Sequence, residues 1–244
     1  MTTPTTIFFD MDETLIENTV PFADLFTQLY QSYDKELGVD TLPLFIAQFR
    51  QDAPILWQSM FDSEQSPEAQ LRQCYENCLL ATKSVDSDTA KRISYDMFER
   101  FIELSSSQVR FNPHAETTLA RLKELGITTG LITNGIEAIQ LGKVKALELD
   151  KKLDSITVSA QARMHKPHAA VFELALARAK AKANAAWQVG DHAINDIAGG
   201  IRAGLGGIYY NPKNLDIEEE FDEVKERPTH TIKGLDEILA LLEH

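Results

Sequence analysis

Hydrophobic positions follow two different patterns along the chain. From about residue 18 to 108 they recur at i, i+3, i+4 and i+7, the spacing that lines one face of a helix. Phe22, Leu25, Phe26, Leu29, Tyr30 and Tyr33 form one stripe that Gly38 ends, and Ala90, Ile93, Met97, Phe101 and Leu104 form another. "SSSQ" at 105–108 reads as a linker leaving this block. From 109 onward, short apolar runs alternate with helices. The runs are "TTGLIT" (128–133), "SITVS" (155–159), "WQVG" (187–190) and "GIYY" (207–210), and the helices start near Pro113, Ile136, Pro167 and Ile194. Asn112 has the chemistry of an N-cap before Pro113, and Gly126 marks that helix's end. "ALARAKAKANAA" (175–186) reads as ordinary helix. Strand–helix alternation predicts an α/β fold, a parallel sheet covered on both faces. "TIFFD" (6–10) has the same texture and should join that sheet. The expected architecture is therefore a Rossmann-like core, residues 1–17 and 109–244, with an inserted all-helical domain at 18–108.

Sites in such sheets lie at the carboxyl ends of the strands. Those ends carry Asp10 and Asp12, then Thr133 and Asn134, then Asp191 with Asp196 beyond it, while Lys166 precedes Pro167 at a helix start. Asp10 and Asp12, at i and i+2 of an extended segment, point to one side. With Asp191 added, each pair of charges about 4 Å apart repels by about 4 kcal/mol at an effective dielectric near 20. A hard divalent cation with oxygen ligands relieves this, and Mg2+ suits a site that also takes phosphate. Taken singly, each residue has a plain structural reading. Asp10 or Asp12 could cap a turn, Thr133-Asn134-Gly135 could be a turn, and Lys166 could be a surface lysine.

Composition narrows the function classes. With 43% hydrophobic and 25% charged residues the chain can bury a sizeable core. A net charge of −13 argues against a nucleic-acid polymer as partner, and an anionic substrate would need a local positive site. No apolar stretch approaches the ~18 to 20 residues of a membrane span. "MTTPTT" at the start lacks the features of a signal peptide, so the expected location is cytoplasmic. Cys74 and Cys78 share a stripe with Leu71, Tyr75 and Leu79, which favours core packing over half a metal site or a redox pair. The acidic run "DIEEEFDEVKE" reads as a solvated face. His165, His168 and His192 fall beside the strand-end residues and are expected to be exposed loop histidines rather than a substrate-facing rim. Trp57 and Met60 fit either the inner wall of the helical domain or its core.

Four segments in order resemble the haloacid dehalogenase superfamily, and within it the phosphatases. They are "DMDET" (10–14), "LITNG" (131–135), "HKP" (165–167) and "GDHAIND" (190–196). The helical insertion lies where this superfamily places a C1-type cap. "IFFDMDETL" and "LITNGIEAIQLGKVKAL" look most like the nucleotidase-like branch. The resemblance implies Asp10 as nucleophile, forming an aspartyl-phosphate, and Asp12 as general acid and then base. It implies Thr14 as the loop's support, and Thr133, the backbone N–H of Asn134 and Lys166 as phosphate ligands. Mg2+ would be held by the side chains of Asp10 and Asp191 and the carbonyl of Asp12, with Asp196 orienting Lys166 or a metal-bound water. The implied function is a Mg2+-dependent phosphomonoesterase acting on a small phosphorylated metabolite, a nucleoside monophosphate first and a sugar phosphate second. The chain would be a monomer or homodimer. The alternatives are a sugar phosphomutase using the same residues, a 2-haloacid dehalogenase, which needs neither Asp12 nor a metal, and a non-catalytic binding module, against which the intact Asp10 and Asp191 speak. The sequence departs from the family pattern at Ala160 and Gln161, where acidic residues are frequent, and at His168-Ala169, where Asp-Pro is frequent. These departures leave the anchoring of Lys166 open.

Overall fold

The computed structural model describes residues 3–243. Six strands form one parallel sheet: β1 (Thr6–Phe9), β4 (Thr128–Thr133), β5 (Ser155–Val158), β6 (Ala186–Gly190), β7 (Gly206–Tyr210) and β8 (His230–Ile232), in the order β5-β4-β1-β6-β7-β8. β1 is central because both of its faces are apolar. Ile7 and Phe9 pack with Leu131, Val189 and Ile208 on one face, and Phe8 packs with Ile132, Val171 and Phe172 on the other. Gly130 of β4 sits opposite Phe8, where a Cβ would come within 2.6 Å of the ring, so only glycine fits. A separate antiparallel pair, β2 (Ile16–Asn18) with β3 (Val109–Phe111), joins the two points where the helical block leaves and returns.

The chain divides into two compact units. One runs to Asn18 and resumes at Val109, and the other is Thr19–Gln108. The second is all helical among the described residues, with long helices Phe22–Gln31, Leu42–Ser59, Pro67–Ala81 and Ser87–Ser107. Aromatic rings fill its interior: Phe26 lies 4.4 Å from Phe49 and 5.2 Å from Phe101, centroid to centroid. Leu71, Cys74, Tyr75, Cys78 and Leu79 are all buried there, so the two thiols pack as small apolar groups. Met60 is buried and Trp57 is exposed. No described helix is long and apolar enough to cross a membrane.

Several expectations are corrected. The "SSSQ" segment is not a linker, because the last helix runs through Ser107. Ser105 and Ser107 donate their hydroxyls to the carbonyls of Ile102 and Leu104 and so satisfy themselves within the helix. The first stripe is interrupted after Gln31. A short helix, Asp34–Leu37, precedes Gly38 (φ 79°), and Phe22 is exposed. Asn112 is not an N-cap. The helix is Ala115–Glu124, preceded by His114 at φ 66°, and the Asn112 amide instead donates to Thr14 O at 2.8 Å. The Ala-rich tract stays helical only to Ala179, where Lys180 turns left-handed at φ 52°. The acidic run forms a short Ile217–Glu220 helix capped by Asp216, with Phe221 buried against Tyr209 and the carboxylates largely exposed.

Candidate active site

The strand order explains where the acids emerge. The Asp10 N–H donates to Val189 O at 2.9 Å, extending the sheet by one residue and placing Asp10 where β1 ends, between β4 and β6. The chain then turns about the fully buried Met11, whose carbonyl accepts from Leu15 and Ile16, both at 3.0 Å, with Glu13 at φ 61°. The turn brings Thr14 to Asp191. Its hydroxyl donates to Asp191 Oδ1 at 3.3 Å and accepts from the Asp191 N–H at 3.1 Å. Asn112, recruited from β3's far end, ties down the Thr14 carbonyl.

Lys166 is buried, and all three of its ammonium donors are used. They reach Asp10 Oδ1 at 2.7 Å, Asp196 Oδ1 at 2.6 Å and Ile132 O at 2.7 Å. Asp196 also accepts from the His192 N–H at 3.2 Å and from Gln188 at 3.3 Å. It rides on a π-type turn, Ala193–Ala198, whose widened geometry presses its carboxyl against the end of β6. A Cβ at Gly190 would lie 2.3 Å from Asp196 Cγ, so glycine is obligatory there. The anchoring left open by the sequence comes from Asn134. Its amide brackets the Lys166 main chain, accepting from the N–H at 2.7 Å and donating to the carbonyl at 3.1 Å.

Burial dominates the electrostatics. It raises Asp10 to about 7; Lys166 lowers that value and Asp196 raises it. Burial, followed by the Asp10 charge, raises Asp191 to about 6, and burial also raises Asp196. For Lys166, burial opposes the charged form, but Asp10 and Asp196 more than offset it and the net shift is upward. Four carboxylates (Asp10, Asp12, Asp191 and Asp196) thus face two ammonium groups, Lys166 and Lys143. The surplus matches one divalent cation. Oxygens of Asp10, Asp191 and Asp196 lie within 4.8 Å of one another, an all-oxygen donor set that fits a hard cation, although Asp196 is already committed to Lys166.

A cavity of about 230 Å3 collects Asp10, Asp12, Thr133, Asn134, Lys166, Asp191 and Asp196, together with His192 and Asn195. Thr14 supports it from outside. Sequence reasoning missed Gln140 and Lys143. Both sit on the Glu137–Ala146 helix that follows β4, and both reach Asp12. Their i, i+3 spacing puts both on one helix face, but nothing in the sequence sets that face against a carboxylate. His165 departs from the expected exposed loop residue. It is half-buried, lies 3.0 Å from Ser159 Oγ, and is pushed down to about 4 by burial. His168 and His192 are exposed, and each accepts from nearby backbone N–H groups at the start of its own helix. A larger cleft of about 470 Å3, between Glu13, Tyr210 and Lys213, shares Asp191 with the site but gathers no comparable set of paired groups.

The profile of the haloacid dehalogenase-like hydrolases matches residues 7–209. The chain belongs to this family. Within the haloacid dehalogenase-like hydrolases it is similar to ribulose-1,5-bisphosphate 5-phosphatase of Halopiger xanaduensis, 33% identical over 53% of this chain and 56% of that protein. It is also similar to glyceraldehyde 3-phosphate phosphatase of Pyrococcus furiosus, 33% identical over 54% of each chain. The chain spans about half the length of the curated relatives it matches. Among solved structures, 2-haloacid dehalogenase from Pseudomonas syringae superposes with a TM-score of 0.79 at 27% identity, covering 98% of this chain and 97% of that one.

Proposed function

We propose that the protein is a phosphomonoesterase of the haloacid dehalogenase-like family, acting on a small phosphorylated metabolite in the cytoplasm. The observation that carries this reading is Lys166, buried and locked between Asp10 and Asp196 in the cavity that also holds Asp12, Thr133 and Asp191. A fixed buried cation beside a carboxylate suits a site that must accept a phosphoryl dianion on an acidic protein.

In this reading an Asp10 oxygen attacks phosphorus, and the bond to the leaving oxygen breaks as Asp12 gives that oxygen its proton. Water then attacks the aspartyl-phosphate, Asp12 takes the water's proton, and the Asp10–phosphorus bond breaks to release phosphate. The Thr133 hydroxyl and the Asn134 N–H hold the phosphoryl oxygens, and Lys166 joins them by exchanging one of its three present acceptors for a phosphoryl oxygen. Asp10, Asp191 and the Asp12 carbonyl would hold Mg2+, which would neutralise charge on the phosphoryl group. The unit Thr19–Gln108 serves as the substrate-selecting cap.

The two curated relatives named above are phosphatases of ribulose-1,5-bisphosphate and glyceraldehyde 3-phosphate, and pyrimidine 5'-nucleotidase YjjG of Escherichia coli is 32% identical over 46% of this chain and 48% of that protein. Nucleoside monophosphates and sugar phosphates are therefore the two substrate classes to compare. The test is hydrolysis of an aryl phosphate with and without Mg2+, in wild type and Asp10→Asn, followed by a panel from both classes. Activity that is metal-dependent and lost in Asp10→Asn supports the reading, and activity unchanged in that variant overturns it. The similarity to a 2-haloacid dehalogenase over nearly the whole chain motivates a second reading. Halide release from 2-chloropropionate that is unaffected by chelator and by Asp12→Asn would favour it.

A further inference from the structure

Asp12 is the proton carrier in the reading above, yet nothing in the loop that bears it fixes its carboxyl group. The two groups that do so come from a distant element. Lys143 Nζ lies 2.6 Å from Asp12 Oδ1, and Gln140 Nε2 lies 2.9 Å from Asp12 Oδ2, so each oxygen has its own donor. Both donors sit one turn apart on the Glu137–Ala146 helix, and both are buried. A buried ammonium is tolerated only with a partner, and among the described residues Asp12 is the one carboxylate that Lys143 pairs with. The Gln140 amide is shared further. It reaches Thr133 Oγ1 at 2.6 Å and Asn134 O at 3.0 Å, so its two hydrogens serve three acceptors. With Gln140 on one side of its oxygen, the Thr133 hydroxyl donates weakly to Asn134 O at 3.4 Å. Gly135 leaves room for this arrangement, since a Cβ there would lie 2.6 Å from Gln140 Cγ.

Neither residue lines the cavity that holds Asp10, Asp12 and Lys166. They approach Asp12 from behind. We propose, on the basis of the phosphatase reading, that Gln140 and Lys143 are positioning residues. They form a two-point bracket on the Asp12 carboxyl group that aims it at the leaving oxygen, and Gln140 links the same bracket to Thr133. Each catalytic carboxylate then has its own buried lysine, Lys166 for Asp10 and Lys143 for Asp12. The two lysines differ in role because only Lys166 faces the phosphoryl group.

The experiment is a double-mutant cycle on kcat and KM for an aryl phosphate with Mg2+, using Lys143→Met, Asp12→Asn and the pair, with Gln140→Met as a second route to the same carboxyl group. Thermal unfolding of each variant identifies the folded ones. The expected result is a fall in kcat of about 10- to 100-fold in Lys143→Met, since a positioned acid–base group contributes about 10²- to 10⁴-fold. KM should stay within about 3-fold, and adding Lys143→Met to Asp12→Asn should cause little further loss. Gln140→Met should lower kcat in the same direction by a smaller factor. A purely structural lysine would add its loss in the Asp12→Asn background, and a phosphate-binding lysine would raise KM. Either result overturns the proposal while leaving the phosphatase reading intact. Wild type inactive on every phosphomonoester tested overturns both.

Discussion

The two units of this chain solve the burial of polar groups in opposite ways. In the helical unit, no Asp, Glu, Lys or Arg is buried among the described residues. Its buried serine and threonine hydroxyls, Thr82, Ser94 and Ser105, donate to carbonyls three residues back, while the buried Tyr33 donates its hydroxyl to the exposed Asp96. In the sheet unit, Asp10, Lys143, Lys166 and Asp196 are all buried, and Lys166 meets Asp10 from 156 residues away in the chain. One interior holds no buried charge and is closed mostly by local hydrogen bonds and aromatic packing. The other exists only when strand ends from distant segments converge, and each of its charges depends on another. Substitutions in the sheet unit should therefore abolish chemistry through single atoms, whereas those in the helical unit should act through volume.

The largest effect is expected at the nucleophile. Asp10→Asn should lower kcat by at least about 10³-fold, in the range that removal of a covalent catalyst reaches, with folding retained in circular dichroism. Next, Lys166→Met should remove activity and also destabilise the sheet unit by about 3–5 kcal/mol in denaturant unfolding, because it strands two buried carboxylates. A cavity substitution in the other unit, Phe26→Ala, should cost about 3–5 kcal/mol of stability. On the proposed reading Mg2+ should raise Tm, and Phe26→Ala, unlike Lys166→Met, should leave that rise in place wherever the sheet unit remains folded.

A smaller and more diagnostic effect is the pH dependence of that rise. Asp10 at about 7 and Asp191 at about 6 sit above the ordinary 3.8, so the folded state binds more protons than the unfolded state between these values. Their contribution to stability therefore falls as pH rises from about 4 toward 7. Cation binding to the ionised pair would offset that loss. The Mg2+-induced rise in Tm should be largest near pH 8 and shrink toward pH 5. His165, held at about 4 by burial, acts in the opposite sense between 6.5 and 4. Its contribution cancels when Tm is compared with and without Mg2+ at each pH. The smallest effect belongs to the surface of the helical unit. Arg92→Ala, which breaks an exposed pair with Glu36, should change stability by at most about 1 kcal/mol.

The central sheet was legible because β1, β4, β6 and β7 are short, mostly apolar runs followed by polar or acidic residues. β2, β3 and β8 were not, since each has three residues and β8 exposes two of them, too little for any periodicity to register. At the site, Asp10, Asp12, Thr133, Lys166, Asp191 and Asp196 could be read from their places at strand ends and helix starts. Gln140 and Lys143 could not, because polar residues on a helix look solvent-facing until a carboxylate from another segment is set against them. The Asn134 side chain was hidden for the same reason, its partner being the backbone 32 residues on. Asn112 failed differently. Its N-cap chemistry was real, but the left-handed turn at His114 moved the helix start and left the amide free to hold the Thr14 loop.

The most direct measurement is mass spectrometry of the peptide containing Asp10 after acid quench of the enzyme turning over an aryl phosphate with Mg2+. A phosphoryl adduct on Asp10 that is absent from Asp10→Asn is the predicted result. An adduct on a different residue in a fully active enzyme would contradict the account.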